Sequence, residues 1–204
     1  MLDVITLISL LVIISLLRRI AGVLPSVFSC AVRWKENVNL DSSVKLSRDR
    51  DITALTLVIP FCIIVTKSGI HCFRFLGGLS AEASFGIILG ILITYFLFRM
   101  FTEKVFLPSR RRRSARVSDN SDRTFFIILA LTLIFCHMIF GISGMETETS
   151  KRTMLWISAA IYMLYIVRKF QIFQTSHSIL TSFLYLCALE IIPTGTLVVS
   201  AIIF

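Results

Sequence analysis

Long apolar runs separated by short polar breaks dominate the hydrophobicity pattern of this chain. Most runs approach the roughly 20 residues that a helix needs to cross about 30 Å of hydrocarbon. The pattern predicts an all-α fold, a polytopic membrane helix bundle in which residues 1–204 form a single membrane domain. The six predicted transmembrane helices cover residues 2–17, 52–66, 84–98, 124–143, 154–167 and 179–204.

A shorter amphipathic pattern follows the first predicted span. Apolar residues recur at i, i+3, i+4, i+7 and i+8 from Leu24 to Val32, so a helix over residues 24–35 would have one apolar face. Its other face is polar, and the indole of Trp34 suits the headgroup region. We expect an interfacial helix that lies on the inner leaflet. The alternative is a cytoplasmic helix packed against the bundle.

Composition and charge support a membrane location. The chain is 56% hydrophobic, above the apolar share of about 45–50% that is typical of soluble domains. The net charge of +9 comes from basic residues that flank apolar runs, so no nucleic-acid partner is expected. With the N-terminus outside, 17 of the 21 Lys and Arg residues fall in the inner connections 18–51, 99–123 and 168–178. This distribution follows the positive-inside rule and predicts a bacterial inner-membrane protein with both termini outside.

The basic inner loop, residues 99–123, contains a dense group of arginines. Each arginine can gain about 1 kcal/mol beside an anionic lipid headgroup. Anionic lipids of the bilayer are therefore the expected partner of this loop, and an acidic protein on the cytoplasmic face is the alternative. The arginines concerned are Arg110, Arg111, Arg112, Arg113 and Arg116.

The third predicted span contains a strip of small residues. Gly86 and Gly90 form a G-x-x-x-G pattern, and Thr94 follows one turn later. Such a strip lets a second helix approach closely. Packing inside the bundle is the expected use, and formation of a homo-oligomer is the alternative.

Glu190 is the only carboxylate in the sixth predicted span. It lies eleven residues from Ile179, which places it about 16 Å deep at 1.5 Å per residue, near the middle of the bilayer. An ionised carboxylate there costs roughly 2.5–3.5 kcal/mol, so it should face the bundle and pair or take a proton. His137 in the fourth span has a similar predicted depth and is the expected partner. Tyr162 in the fifth span is an alternative hydrogen-bond partner.

The residues after Glu190 disfavour a continuous helix. Pro193 lacks a backbone N–H and Gly195 is a weak helix former, so a break or kink is expected, with Thr194 bonding to freed backbone groups. Broken helices beside an acidic residue bind ions in many transporters. Glu190 is therefore either a proton or cation site or a structural residue that holds the last helix in place.

The segment SFLYLCALEIIP, residues 182–193, resembles a motif of an integral-membrane family of Bacteroidota, a domain of unknown function. The family pattern is F-x-Y-L-C-x-L-E-I-x-P, which aligns its acidic residue with Glu190 and its proline with Pro193. The resemblance extends to the order of spans and covers most of the chain. It implies an inner-membrane location and no particular activity.

No enzyme, metal or cofactor is expected from the motifs. The chain contains no H-E-x-x-H, G-x-S-x-G or P-loop pattern. Its five cysteines form no C-x-x-C pair, and Cys72 with its neighbour His71 supplies only two ligands. We therefore expect a non-catalytic scaffold or assembly subunit of a cell-envelope complex. A small proton- or cation-linked transporter or channel centred on Glu190 is the alternative.

Overall fold

The computed structural model of the chain is all-helical, and no strand occurs among the residues that it describes. Those residues are 2–33, 36, 43–69, 79–106, 112–174, 179–192 and 194–195, with the backbone alone at 99, 102–106, 112–119, 185 and 189. The helices are α1 (Leu2–Val32), α2 (Val44–Ser68), α3 (Ala81–Phe106), α4 (Arg112–Ser143), α5 (Thr147–Gln174) and α6 (Ile179–Leu186), and α6 continues into a π-helical turn, Cys187–Ile191.

Helices α1 to α5 are long and apolar enough to cross a membrane. Each contains one of the predicted spans, so the prediction of a helical, multi-pass membrane protein is confirmed at that level. The sixth predicted span does not coincide with a long described helix. Its described part is the eight-residue helix α6 with the π-helical turn, followed by residues 192 and 194–195, while 196–204 lie outside the described residues.

The predicted interfacial helix is not a separate element. Helix α1 continues without interruption from the first span through Pro25 to Val32, because the intervening Arg18 and Arg19 are good helix formers. Val23 and Val27 are buried in the core, whereas Phe28 is 51% exposed. The segment therefore packs on the bundle, as in the alternative prediction. Trp34 and Lys35, the end of the predicted interfacial helix, lie outside the described residues.

Two glycines end helices where the chain needs a positive φ. Gly69 follows α2 with φ 62°, and Gly144 follows α4 with φ 63°. After Gly144, the N–H of Met145 donates to the carbonyl of Phe140 at 3.4 Å, which is the bond of a Schellman cap. This cap leads into α5 within a few residues. Helices α4 and α5 therefore form a tight antiparallel hairpin.

The main core cluster joins α1, α2, α4 and α5. It contains Val23 and Val27 of α1, Leu57 of α2, Ile127 of α4 and Tyr165 of α5. The cluster surrounds the half of the α4–α5 hairpin that is remote from its turn. Polar and charged side chains are buried directly beyond it, and they form the candidate site.

Candidate functional site

A buried lysine joins α4, α5 and the π-helical turn. The Nζ of Lys169 donates to Oδ1 of Asp122 at 3.0 Å, to the hydroxyl of Tyr165 at 3.0 Å and to Oε1 of Glu190. The Tyr165 hydroxyl in turn donates to Oδ1 of Asp122 at 2.6 Å. The side chains of Lys169, Asp122 and Glu190 are only 1%, 7% and 0% exposed. We refer to these four residues as the Lys169 cluster.

The hairpin geometry explains how Asp122 meets Lys169. Asp122 lies 21 residues before the end of α4 at Ser143, and Lys169 lies 22 residues after the start of α5 at Thr147. At 1.5 Å per residue, both are about 32 Å from the hairpin turn, so antiparallel packing brings them to one level. This separation is about the thickness of the bilayer hydrocarbon. The cluster is therefore at the end of the bundle remote from that turn.

The expected partner of Glu190, His137, is not at the cluster. His137 lies fifteen residues after Asp122 on the same helix, a separation of about 22 Å. It is therefore near the hairpin turn, at the other end of α4. The prediction that His137 pairs with Glu190 is wrong, because Glu190 lies at the end of α4 and α5 that is remote from the turn, whereas His137 lies near the turn. The partner in the structure is Lys169.

The backbone around Glu190 is irregular, as expected, but the irregularity precedes Pro193. Residues Cys187–Ile191 form a π-helical turn, and the N–H of Ile192 donates to the carbonyl of Cys187. Isolated π-helical turns within α-helices are frequent at functional sites. The position of Pro193 itself lies outside the described residues.

Two other predicted site residues lie beside this turn. The hydroxyl of Tyr162 is 3.5 Å from the backbone carbonyl of Glu190, a long hydrogen bond to the main chain and not to the carboxylate. Thr194 has its hydroxyl 3.4 Å from that of Tyr95 in α3. Thr194 thus links the last helical segment to α3, whereas the sequence predicted a bond to freed backbone groups.

A second buried cation lies close to the first cluster. Nη2 of Arg50 in α2 donates to Oδ1 of Asn120 in α4 at 2.7 Å and to the carboxylate of Asp51 at 2.9 Å. Arg50 is fully buried, and Arg123 forms an ion pair with the other oxygen of Asp51. We refer to Arg50, Asp51, Asn120 and Arg123, with Ser47, which also accepts from Arg50, as the Arg50 cluster. The two clusters together define the polar end of the bundle.

The ion pairs of the polar end join equal numbers of cations and carboxylates. Among these described side chains, Lys169 pairs with two carboxylates, while Arg50 and Arg123 share one carboxylate. Three cations therefore face three carboxylates. Burial of charges is costly unless they are paired and hydrogen-bonded. The ion pairs supply an opposite charge to each of these groups, and they join α2, α4, α5 and the π-helical turn.

Arg168 of α5 links the end of α1 to the polar end of the bundle. Its guanidinium donates to the carbonyls of Ala31 at 3.0 Å and Val32 at 2.8 Å, and also to the side chain of Gln171. The last carbonyls of a helix lack intrahelical donors and carry the negative end of its dipole. Arg168 therefore caps α1 from α5.

The small-residue strip of α3 makes no close helix contact among the described residues. Gly86, Gly90 and Thr94 are all exposed. A Cβ added at Gly86 or Gly90 would meet no atom within 4 Å. No described helix of the chain approaches these glycines closely, so the described residues do not show the expected internal packing.

The predicted arginine site is described only in part. Arg110 and Arg111 lie outside the described residues. Arg112, Arg113 and Arg116 belong to the first turns of α4, where the structure describes the backbone alone. The interpretation of this group stays a prediction.

Sequence reasoning missed Lys169, Asp122, Tyr165 and Arg50. Lys169 was counted among the basic residues of an inner connection, and Asp122 and Arg50 among polar loop residues. One signal was available: Tyr165, near the end of the fifth predicted span, and Lys169, two residues beyond it, are four residues apart, which places two polar side chains on one helical face. That Asp122 would lie buried opposite these two residues could be predicted only from the geometry of the α4–α5 hairpin.

Comparison with known proteins does not assign this chain to a family. No family model, no curated protein and no solved structure matches this chain. The resemblance to a Bacteroidota membrane family stays a prediction, and the functional argument depends on the geometry of the described residues.

Proposed function

We propose that the protein is a non-catalytic multi-pass protein of the bacterial inner membrane that acts as a scaffold or assembly subunit of a cell-envelope complex. The observation that carries this proposal is the charge balance of the polar end. Glu190, the expected ion site, already has Lys169 as its counter-ion. A buried, paired network of this kind holds helices in one arrangement, which suits a scaffold.

The distribution of basic residues supports an orientation for this scaffold. Arg50, Arg123 and Arg168 all lie at the polar end, and the group from Arg110 to Arg113 immediately precedes or begins α4. By the positive-inside rule this end faces the cytoplasm. The termini would both be outside if the last segment completes a sixth crossing. Anionic lipids or an acidic protein would then contact the arginine group.

The exposed strip of α3 supports a site for a partner helix. Gly86 and Gly90 leave the α3 backbone accessible, and interhelical contacts in membranes favour such small residues. A second copy of this chain or a helix of another subunit fits this strip. The proposal therefore includes association through α3.

The test compares glycine substitutions on two helices. Gly86→Leu would add a bulky side chain to the strip, while Gly22→Leu makes the same change at an exposed glycine of α1 where nothing lies within 4 Å. Native mass measurement in mild detergent should find the wild type and Gly22→Leu in a complex larger than one chain, and Gly86→Leu should dissociate. A wild type that runs as one chain with no associated protein would refute the scaffold proposal.

A proton- or cation-linked transporter is the second candidate, because Asp122 of the Lys169 cluster also lines a cavity between the helices. In proteoliposomes with a potassium diffusion potential and a trapped pH dye, this candidate requires wild-type proton flux above that of protein-free liposomes. Glu190→Gln should then abolish the flux. The scaffold proposal expects no flux from either protein.

A further inference from the structure

A cavity of about 360 Å³ lies between α3 and the α4–α5 hairpin. This volume is within the range of about 300–1,000 Å³ that is typical of small-molecule sites. Helix α3 packs mainly against α2, which also contributes to the wall. On the far side of the cavity, Phe96 of α3 meets Phe126 of α4 edge-on, with ring centroids 6.0 Å apart. The cavity is therefore a space between helices with an apolar, aromatic wall.

The hydroxyl groups of this wall lie toward the polar end of the bundle. On α4 the wall runs from Asp122, at the polar end, to Leu129, about 10 Å further from it. Helix α3 runs the other way. Ile88 packs with Cys62, in the half of α2 remote from the polar end, and Tyr95 is about 10 Å closer to that end. Among the described lining residues, the remote end of the cavity is therefore apolar, and the near end carries the hydroxyl groups.

Tyr95 and Thr194 form a hydrogen-bonding site at the hydroxyl end. Their hydroxyl oxygens are 3.4 Å apart, which is longer than the usual O–H···O distance of about 2.5–3.0 Å. Each hydroxyl has one donor and two acceptor lone pairs, and their mutual contact uses one donor of the two. A small ligand head that both donates and accepts, such as an alcohol, can therefore bond to this pair.

The charges beside the cavity already have partners. Asp122 lines the cavity, lies 3.0 Å from Nζ of Lys169 and accepts from the hydroxyl of Tyr165 at 2.6 Å. A charged ligand head would lose its hydration here and would compete with these existing pairs. An uncharged head avoids both costs. The surroundings therefore favour a neutral ligand over an ion of either sign.

We propose that this cavity binds a neutral single-chain amphiphile of the bilayer, such as a long-chain alcohol. The hydrocarbon tail occupies the apolar end, and the hydroxyl head bonds to Tyr95 and Thr194. Transfer of the tail from lipid gives little hydrophobic gain, because lipid tails are about as apolar as the wall. Selection among lipids therefore depends on the head. This binding activity goes beyond the scaffold role and does not depend on it.

The test compares three probes that share one tail and differ in the head. Hexadecanol, hexadecylsulfonate and hexadecyltrimethylammonium, each with a photoreactive diazirine in the tail, are added to phosphatidylcholine nanodiscs that contain the full-length protein. Mass spectrometry measures labelling against the mole fraction of probe in the bilayer. The alcohol should label saturably, with a half-saturating mole fraction about tenfold below that of either ion, because an unpaired buried charge is costly. Absence of saturable labelling by the alcohol, or equal half-saturation by all three probes, would overturn the proposal.

Matched substitutions on α3 locate the binding site. Leu92 lines the cavity, whereas Ile93, the next residue, is 48% exposed and does not line it. Leu92→Trp should fill the cavity and raise the half-saturating mole fraction of the alcohol about tenfold, while Ile93→Trp should leave it within about twofold of the wild type. Equal values in the two variants would place binding elsewhere and overturn the proposal.

Tyr95→Phe tests the bond to the head. This variant keeps the ring and loses the hydroxyl, so the half-saturating mole fraction of the alcohol should rise about two- to tenfold, the effect of one hydrogen bond. Labelling by a hexadecane probe with the same diazirine and no head should not change. An unchanged value for the alcohol in a folded variant would overturn the proposed position of the head. This conservative variant also decides the proposal if Leu92→Trp fails to fold.

Discussion

Two lysines of α5 form ion pairs of nearly equal length in very different surroundings. Lys151 lies 2.9 Å from Glu148, with side chains 31% and 79% exposed. Lys169 lies 3.0 Å from Asp122, with side chains 1% and 7% exposed, and it also binds Glu190. Eighteen residues, or five helical turns, separate the two lysines, so they lie on the same side of α5.

The difference between the two lysines lies in what surrounds them. Lys151 bonds within its own helix, and an exposed pair of this kind typically contributes about 0.2–1 kcal/mol. Lys169 bonds to residues of α4 and the π-helical turn, where water is excluded. Removal of one partner from a buried pair typically costs about 3–5 kcal/mol, because it leaves an uncompensated charge. Ion-pair length alone therefore does not indicate how much a pair stabilises this bundle.

The largest effect is expected from Lys169→Met. This change removes the cation that Asp122 and Glu190 share in a buried site, so it should lower the free energy of unfolding by about 3–5 kcal/mol. Titration with sodium dodecyl sulfate, followed by circular dichroism, measures this quantity. Lys151→Met on the same helix is the matched control and should cost less than about 1 kcal/mol. Equal losses would remove the distinction between the two pairs.

Glu190→Gln should have a smaller effect, about 1–3 kcal/mol, because Asp122 still neutralises Lys169. The double variant Lys169→Met with Glu190→Gln should be less unstable than the sum of the single losses, since the two residues interact directly. The same titration gives the coupling free energy. A coupling near zero would mean that the contact between Lys169 and Glu190 contributes nothing.

Arg168→Gln tests the fastening of α1 to α5. It removes a cation from the end of a helix and two hydrogen bonds to its carbonyls, so a loss of about 1 kcal/mol is expected. Arg152→Gln, at an exposed position on the same helix, is the control. Faster hydrogen exchange at the end of α1 in Arg168→Gln alone would support the local effect, and a uniform change would argue against it.

The smallest coupling is expected between His137 and Glu190. The two residues are at opposite ends of the bundle, so the losses in His137→Gln and Glu190→Gln should add within about 0.5 kcal/mol. The same detergent titration of the double variant measures this. A larger coupling would restore the original prediction that they pair.

Much of the architecture was predictable from local patterns. Five of the six predicted spans lie within long helices. A continuous apolar run predicts a membrane helix by its length and composition alone, whatever packs beside it. The prediction that residues 24–35 form a helix separate from the first span was wrong, because α1 runs without a break to Val32. An amphipathic pattern is compatible with either a membrane surface or a protein surface, and the burial of Val23 and Val27 decided for the latter.

The sequence by itself determined that apolar helices would form and that Glu190, alone in an apolar segment, would need a partner. Which partner it has was decided by tertiary structure. The turn at Gly144 sets the register of α4 against α5, and this register brings Asp122 and Lys169 to one level 47 residues apart in the chain. Counting residues along single helices could not show which residues of different helices lie side by side. That depends on how the helices pack as well as on where each helix begins.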